Sequence, residues 1–147
     1  MQIFAVDNDP KLAARALCDR HVVKMILESY MLLELAFGFS DNNWKHHPAA
    51  KWVKRSPDNI AWLFEHGKEL CAEYTRRYGK IHSWQDKYIK IEHLITGNWR
   101  NHQEFCQLIP EPFKSTDPVQ GYQTYYREGR VKDFTKWKLD NKPEWVS

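Results

Sequence analysis

Apolar residues recur with a helical period along most of the chain. Between Arg20 and Phe37, Val22, Ile26, Tyr30 and Leu33 fall three or four residues apart, and Val23, Leu27 and Met31 broaden the stripe. That spacing predicts a long amphipathic helix, with Asp19 as its cap and Gly38 as its stop. A shorter helix precedes it. Asp9 can cap, Pro10 suits the first helical position, where its missing N–H is no loss, and KLAARAL follows. Pro48 opens another short helix, PAAKWVKR. Ser56 and Pro57 repeat the cap-plus-proline start for a helix that runs through DNIAWLFEHGKELCAEYTRRYG and stops near Gly79. Its core side is Ile60, Leu63, Phe64, Leu70 and Tyr74. Ser83, with Asp86 three residues on, has the form of a capping box opening WQDKYIKIEHLI, which Gly97 ends. LIPEPFKSTDP is a proline-broken connection, and Asp117 and Pro118 start a last amphipathic piece, VQGYQTYYREG. GFSDNNWKHH is a loop, and QIFAV at the front is either extended or tucked into the core.

No stretch alternates over a strand's length, and there is no repeat. The expected fold is all-α: a compact helical bundle with little or no sheet, forming a single domain over residues 1–147. A chain of this length can bury roughly two-thirds of the surface its unfolded form exposes, so it needs no staples. Cys18, Cys71 and Cys106 are odd in number and far apart, and read as reduced thiols. No segment is apolar enough to span a bilayer, and the start lacks the basic-then-apolar form of a secretory signal. The expectation is a cytoplasmic monomer without membrane contact, in the host cytoplasm if it is encoded by a phage.

Charge narrows the choice of partner. The net charge of +3 is modest, but the basic residues cluster. WKHHPAAKWVKR holds Lys45, Lys51, Lys54 and Arg55 without an acid. REGRVKDFTKWK holds Arg127, Arg130, Lys132, Lys136 and Lys138 against two acids. Basic clusters interleaved with Trp, Tyr and Phe suit a polyanion carrying flat bases. Ordinary helix surfaces also carry Lys and Arg, and aromatics also fill cores, so composition leaves both readings open.

The candidate chemistry lies in LCDRHVVKMILESYMLL, residues 17–33, where Asp19, His21, Lys24 and Glu28 interrupt an apolar helix. His21 and Glu28 are seven residues apart, which puts them on one face, roughly 10 Å apart along the axis. A carboxylate partly withdrawn from water on such a face is a candidate general acid or base. An ion pair of Glu28 with Lys24 or Arg20, and a core hydrogen bond from His21, would explain the same residues without catalysis.

The spacing of Asp19, His21 and Glu28 resembles the first-helix pattern of the phage pyrimidine-dimer DNA glycosylase (endonuclease V) family, in which an Asp-x-His element precedes a glutamate at this distance. HPAAKWVKRSPDNIAWLFEHGKELCAEYTRRYG is similar to a later part of that family's pattern through His47, Pro48, Ile60, Leu63, Leu70, Glu73, Arg77 and Gly79, and the aromatic, basic end KPEWV is a softer parallel. The chain also looks like small proteins of large phages that carry a CDxHVVKMxxE core. The resemblance implies an all-helical enzyme without a cofactor, acting on DNA, expected to be double-stranded. The terminal amine attacks C1′ of a damaged nucleotide, the base leaves, an imine forms, and elimination cuts the strand. Carried onto this sequence, Met1 supplies the amine and Glu28 the acid/base group, with His21 beside it as a further catalytic candidate that, like Lys24, could contact phosphate. Gln2 is bulky, so Met1 is retained, and Gln2 stands where the family places a basic residue. α-Amines as a class are weaker bases than lysine side chains, so a useful fraction is nucleophilic at neutral pH. Gln2, Arg20, Lys24, Lys51, Lys54, Arg55, Arg76 and Arg77 are the candidates for meeting the DNA backbone. Tyr125, Tyr126 and Trp137 are the candidates to fill the gap when a nucleotide is rotated out.

Three rivals remain. Cys18, His21, His46 and His47 could offer zinc ligands, but there is no paired CxxC and no HExxH, so no metal is expected. A non-catalytic nucleic-acid-binding or host-interacting phage protein would keep the basic-aromatic surface and drop the chemistry. An enzyme acting on a modified base without cutting DNA could use His21 and Glu28 equally well. The absence of a Gly-rich phosphate loop argues against nucleotide-cofactor chemistry.

Overall fold

The computed structural model describes residues 1–146, and six α-helices carry it: α1 (Pro10–Ala16), α2 (Asp19–Phe37), α3 (Pro48–Lys54), α4 (Pro57–Tyr78), α5 (Gln85–Ile91) and α6 (Pro118–Glu128). Short 3₁₀ turns link them, and no β-strand occurs among the described residues. The all-α expectation therefore holds. The long helix α4 is the hub, packing against α1, α2, α3 and α5. Trp52, Trp62, Leu63, Leu32, Leu33 and Ile26 fill the interior between these helices. Ile3, Phe4, Ala5 and Val6 are buried as well, so the start of the chain belongs to the core. No helix among the described residues is long and apolar enough to cross a membrane.

The helix starts follow local chemistry. Asp9 accepts from Lys11 N–H and Leu12 N–H, Ser56 from Asp58 N–H and Asn59 N–H, and Asp117 from Val119 N–H, each with proline at the next position. Gly38 and Gly79 end α2 and α4 at φ of 77° and 70°, left-handed values that a side chain disfavours.

Three expected boundaries are corrected. Asp19 is the first residue of α2 rather than its cap; Cys18 holds the cap position and makes no side-chain capping bond. The Asp19 carboxylate is drawn away by Arg77 and by Lys138 N–H. Ser83 does not cap α5, which starts at Gln85. At that turn the His82 ring accepts Trp84 N–H instead. α5 also ends early, at Ile91, and a 3₁₀ turn over Glu92–Leu94 replaces its predicted last turn. Gly97 serves a different purpose from the expected stop. A Cβ there would lie 2.2 Å from the Pro57 carbonyl oxygen, so only glycine lets this segment approach the start of α4.

A buried ion-pair network locks α4 to α2. Arg77 donates through Nε to Glu73 at 2.7 Å, through Nη1 to Asp19 at 3.0 Å and through Nη2 to the Arg15 carbonyl at 3.0 Å. Glu73 also takes Arg76 and Asn141 Nδ2. Burying charges is expensive unless every partner is in place, and removing one partner strands the other. His66 is a second buried polar group. It stacks on Trp62 with centroids 4.9 Å apart, and its Nδ1–H donates to the Pro10 carbonyl at 3.0 Å. Its Nε2 has no partner, so a proton added there would be a buried, unsolvated charge.

Two outcomes follow from these groups. Arg77→Met is expected to lower stability by roughly 3–5 kcal/mol, read as the urea midpoint, because it leaves Glu73 and Asp19 uncompensated. Acid should also weaken the fold. Burial pulls both His66 and His21 down to about 4 from 6.5. The unfolded chain thus takes up these two protons near pH 6.5 and the folded chain only near pH 4. Stability conferred by the neutral rings is full above about pH 6.5 and is lost as pH falls toward 4, at up to ~1.4 kcal/mol per pH unit for each ring. Urea titrations between pH 7 and pH 4 would measure the slope; a flat profile would contradict it.

Candidate active site

The start of the chain and the middle of α2 meet. The Met1 amine lies 4.0 Å from Glu28 Oε1, and Lys24 Nζ lies 3.5 Å from Oε2. The Glu28 side chain is 15% exposed, so the carboxylate is mostly shielded yet still reachable. Lys24 precedes Glu28 by one helical turn, which makes the pair a product of helix geometry. Bringing the amine there requires more, because it must be carried in from a distant part of the sequence.

Local chemistry in residues 1–6 does this. Gln2 Nε2 donates to the Leu108 carbonyl at 2.6 Å, and Gln2 Oε1 accepts from Ile3 N–H and Phe4 N–H. Phe4 sits at φ 55°, a left-handed conformation that is unfavourable for a bulky residue. Its ring stacks on His21, with centroids 4.1 Å apart and planes 19° from parallel. That stack, with the burial of Ile3, Ala5 and Val6, holds the strained turn in place.

His21 stands behind the site. The Tyr126 hydroxyl accepts from Cys18 N–H at 2.9 Å and lies 2.7 Å from His21 Nδ1. Burial, reinforced by Lys24 and Arg20, keeps the ring neutral near pH 7. The Tyr126 hydroxyl also lies 3.2 Å from Cys18 Sγ, so Tyr126 ties both ends of the first turn of α2 together. The sequence placed His21 with Glu28 as a catalytic or phosphate-binding group. A neutral ring beneath Phe4 is unsuited to holding phosphate, and its visible work is to position the N-terminal turn.

Other candidates divide clearly. Arg20, Lys24, Lys51, Lys54 and Arg55 are exposed, as backbone-binding residues must be. Arg77 is not: its guanidinium is buried and spent on three protein acceptors, so it cannot reach DNA. Arg76 is half-exposed, with its head group on Glu73. Gln2 turns inward to Leu108. Tyr126 is fully buried and cannot enter a base stack. Trp137 packs against the core and donates to the Ala16 carbonyl at 2.9 Å. Tyr125 is partly buried against Phe113. Among the described residues, no three His, Cys, Asp or Glu side chains converge as a metal site.

Glu28 lies between two hollows along α2. Toward the N-terminus, Phe4, Arg20, His21, Tyr125, Arg130 and Phe134 line one of about 450 Å³. Toward the C-terminus, Leu35, Asp41, Lys45, His46 and Lys54 line one of about 500 Å³. His21, Glu28 and Leu35 are spaced by sevens, so these features share one face of α2 at roughly 10 Å intervals. A third, smaller apolar hollow between α4 and α5, beside Cys71 and Tyr88, shares no residue with this face.

Sequence reasoning gave His47 only a place in a motif and a share in the metal alternative. Its Nδ1 accepts Ala49 N–H at 3.1 Å, capping α3. Its proton affinity is lowered by burial and then by the positive charge of the Met1 amine, so it borders the same centre. The Pro48 that follows it was the available signal, since a side chain before a helix-opening proline is positioned to cap.

Comparison with known protein families matches residues 1–86 to the family described as pyrimidine dimer DNA glycosylase. No curated protein and no solved structure gives a match. The matched span contains Met1, His21, Glu28 and His47 and covers more than half of the chain. With the N-terminal amine and the helix carboxylate brought together inside the matched region, the chain belongs to the pyrimidine dimer DNA glycosylase family, whose substrate is DNA.

Proposed function

We propose that this protein releases a damaged pyrimidine from double-stranded DNA and then cuts the strand, with the Met1 α-amine as nucleophile and Glu28 as acid and base. The observation that carries the reading is the 4.0 Å approach of the amine to a shielded carboxylate. An ammonium group cannot attack, and Glu28 is the group placed to take its proton. The free lone pair attacks C1′ of the damaged nucleotide, and the base leaves with the electron pair of its glycosidic bond and takes up a proton from the newly bonded nitrogen. Protonated Glu28 gives its proton to the sugar ring oxygen as the ring opens and the imine forms. The carboxylate then removes a proton from C2′, and the 3′ phosphate departs by β-elimination. Water releases the enzyme from the imine. General acid–base assistance of this kind is worth about 10²–10⁴-fold in rate.

Lys24, 3.5 Å from Oε2, holds the Glu28 carboxylate in place beside the amine. Arg20, Lys51, Lys54 and Arg55 are the exposed cations for the phosphates on either side. The protein works as one helical domain, as a monomer and in the cytoplasm.

Borohydride trapping on duplex DNA containing one abasic site tests the nucleophile. Wild-type protein should give a covalent adduct that peptide mass mapping assigns to Met1, and α-acetylated protein should give none. An adduct that survives acetylation would move the chemistry to a lysine. Glu28→Gln should reduce base release from dimer-containing duplex by about 10²-fold or more, with DNA binding kept within a few-fold. A smaller kinetic effect would remove Glu28 from the proton steps.

A further inference from the structure

The loop joining α2 to α3 has no part in the chemistry above. Its side chains are nonetheless arranged for contact. Among the described residues, the exposed large apolar side chains include two aromatic ones, Phe39 and Trp44, and both lie on this loop. Phe39 rests on Phe37, with ring centroids 5.6 Å apart. Trp44 is 45% exposed, and its ring lies 5.6 Å from that of His47. Leaving an indole half in water forgoes much of the burial that normally holds tryptophan inside.

The loop holds Trp44 in place. Asn42 caps the 3₁₀ turn Asn43–His46 by accepting Trp44 N–H at 2.8 Å, and the Trp44 carbonyl accepts His47 N–H at 2.9 Å. His47 then caps α3. Trp44 is thus presented from a turn fixed by hydrogen bonds on both sides.

Its surroundings are cationic. The adjoining 500 Å³ hollow is lined by Lys45, His46 and Lys54 among others, and its one carboxylate, Asp41, is already paired with Lys45 at 2.8 Å. The same hollow reaches Leu35, two turns along α2 from Glu28. His47 connects the loop to the reaction centre, because its ring lies beside Trp44 and within the field of the Met1 amine.

We propose that Trp44 enters the DNA base stack at the lesion and holds the duplex open, while Lys45, His46 and Lys54 receive the adjoining phosphates. The inference rests on the Met1–Glu28 reaction centre and adds to it the group that replaces the departing nucleotide. It moves that role from Tyr126 and Trp137, which the core has claimed, to an aromatic ring that is free to perform it. A ring stacked on a base replaces part of the stacking lost when a nucleotide leaves the helix.

The test is single-turnover base release from two substrates: a fully paired duplex with one thymine cyclobutane dimer, and the same dimer inside a small bubble of mismatched bases. Release is read after hot alkali, so the result does not depend on which group is the nucleophile. Borohydride trapping by the wild type reports separately on the Met1 reading. Trp44→Ala should slow release from the paired duplex by about 10-fold or more, and leave release from the bubble within about 2-fold of wild type, since that substrate is already open. Trp44→Phe should recover most of the paired-duplex rate. Circular dichroism and the thermal midpoint should be unchanged in both variants, because the ring is on the surface. No loss on the paired duplex, or an equal loss on both substrates, would overturn the proposal.

Discussion

A chain terminus normally trails in water, and this one does not. Behind Met1, the four residues Ile3 to Val6 are buried, with Ala5 and Val6 completely enclosed. That insertion fixes where the α-amine can be. It draws Gln2 onto Leu108 and presses Phe4 onto His21, so the amine emerges beside Glu28. The positive φ of Phe4 is the strain this path demands, and the apolar burial around it offsets the penalty. The neutral state of His21 belongs to the same arrangement. A charged imidazolium at this position would be stripped of water and would repel Lys24 and Arg20.

The supports lie well outside the site. Asp19 opens α2, and it is held by Arg77 from the far end of α4 and by Lys138 from the C-terminal segment. Tyr126 of α6 joins Cys18 to His21. The helix bearing Glu28 is therefore fixed at its first turn by three separate parts of the chain. Residues beyond the matched region thus contribute to the geometry: α6 and the tail build no part of the meeting point of Met1 and Glu28, yet they contact the start of the helix on which it stands.

Much of this was legible in the sequence, for reasons that differ by element. Helices with a proline behind a capping side chain, at Asp9, Ser56 and Asp117, were readable because the capping bond is local. Asp19 and Ser83 carried equally good local signals and failed. Asp19 was claimed by a residue 58 positions away in sequence, and Ser83 lost its place to the neighbouring His82 ring. The pairing of Met1 with Glu28 came from a resemblance and could not have come from periodicity, because no pattern in residues 1–6 announces that a terminus will be buried. The assignments to Arg77 and Tyr126 failed for one shared reason. Charge and aromaticity are visible in a sequence, whereas the partners that use them up, Glu73 and Asp19 for one and Cys18 and His21 for the other, are visible only in three dimensions. The exposure of Trp44 has the converse reason: it lies in a loop, outside any apolar stripe, and that isolation is visible in the sequence.

The Gln2 clamp bears on how such a protein can change over evolutionary time. Its amide is bonded at both ends, to Leu108 and to the backbone of Ile3 and Phe4, so the distance from this anchor to the chain's first atom is set by one residue. Removing that residue would shift the first atom of the chain by up to about 3.8 Å, the span of one peptide unit, a displacement comparable to its present 4.0 Å separation from Glu28. If catalysis uses this amine, as proposed, a small second residue with trimming of the leading methionine would remove both the clamp and the spacing it sets. On that reading, the identity of residue 2 and the processing of residue 1 are coupled through one amide side chain.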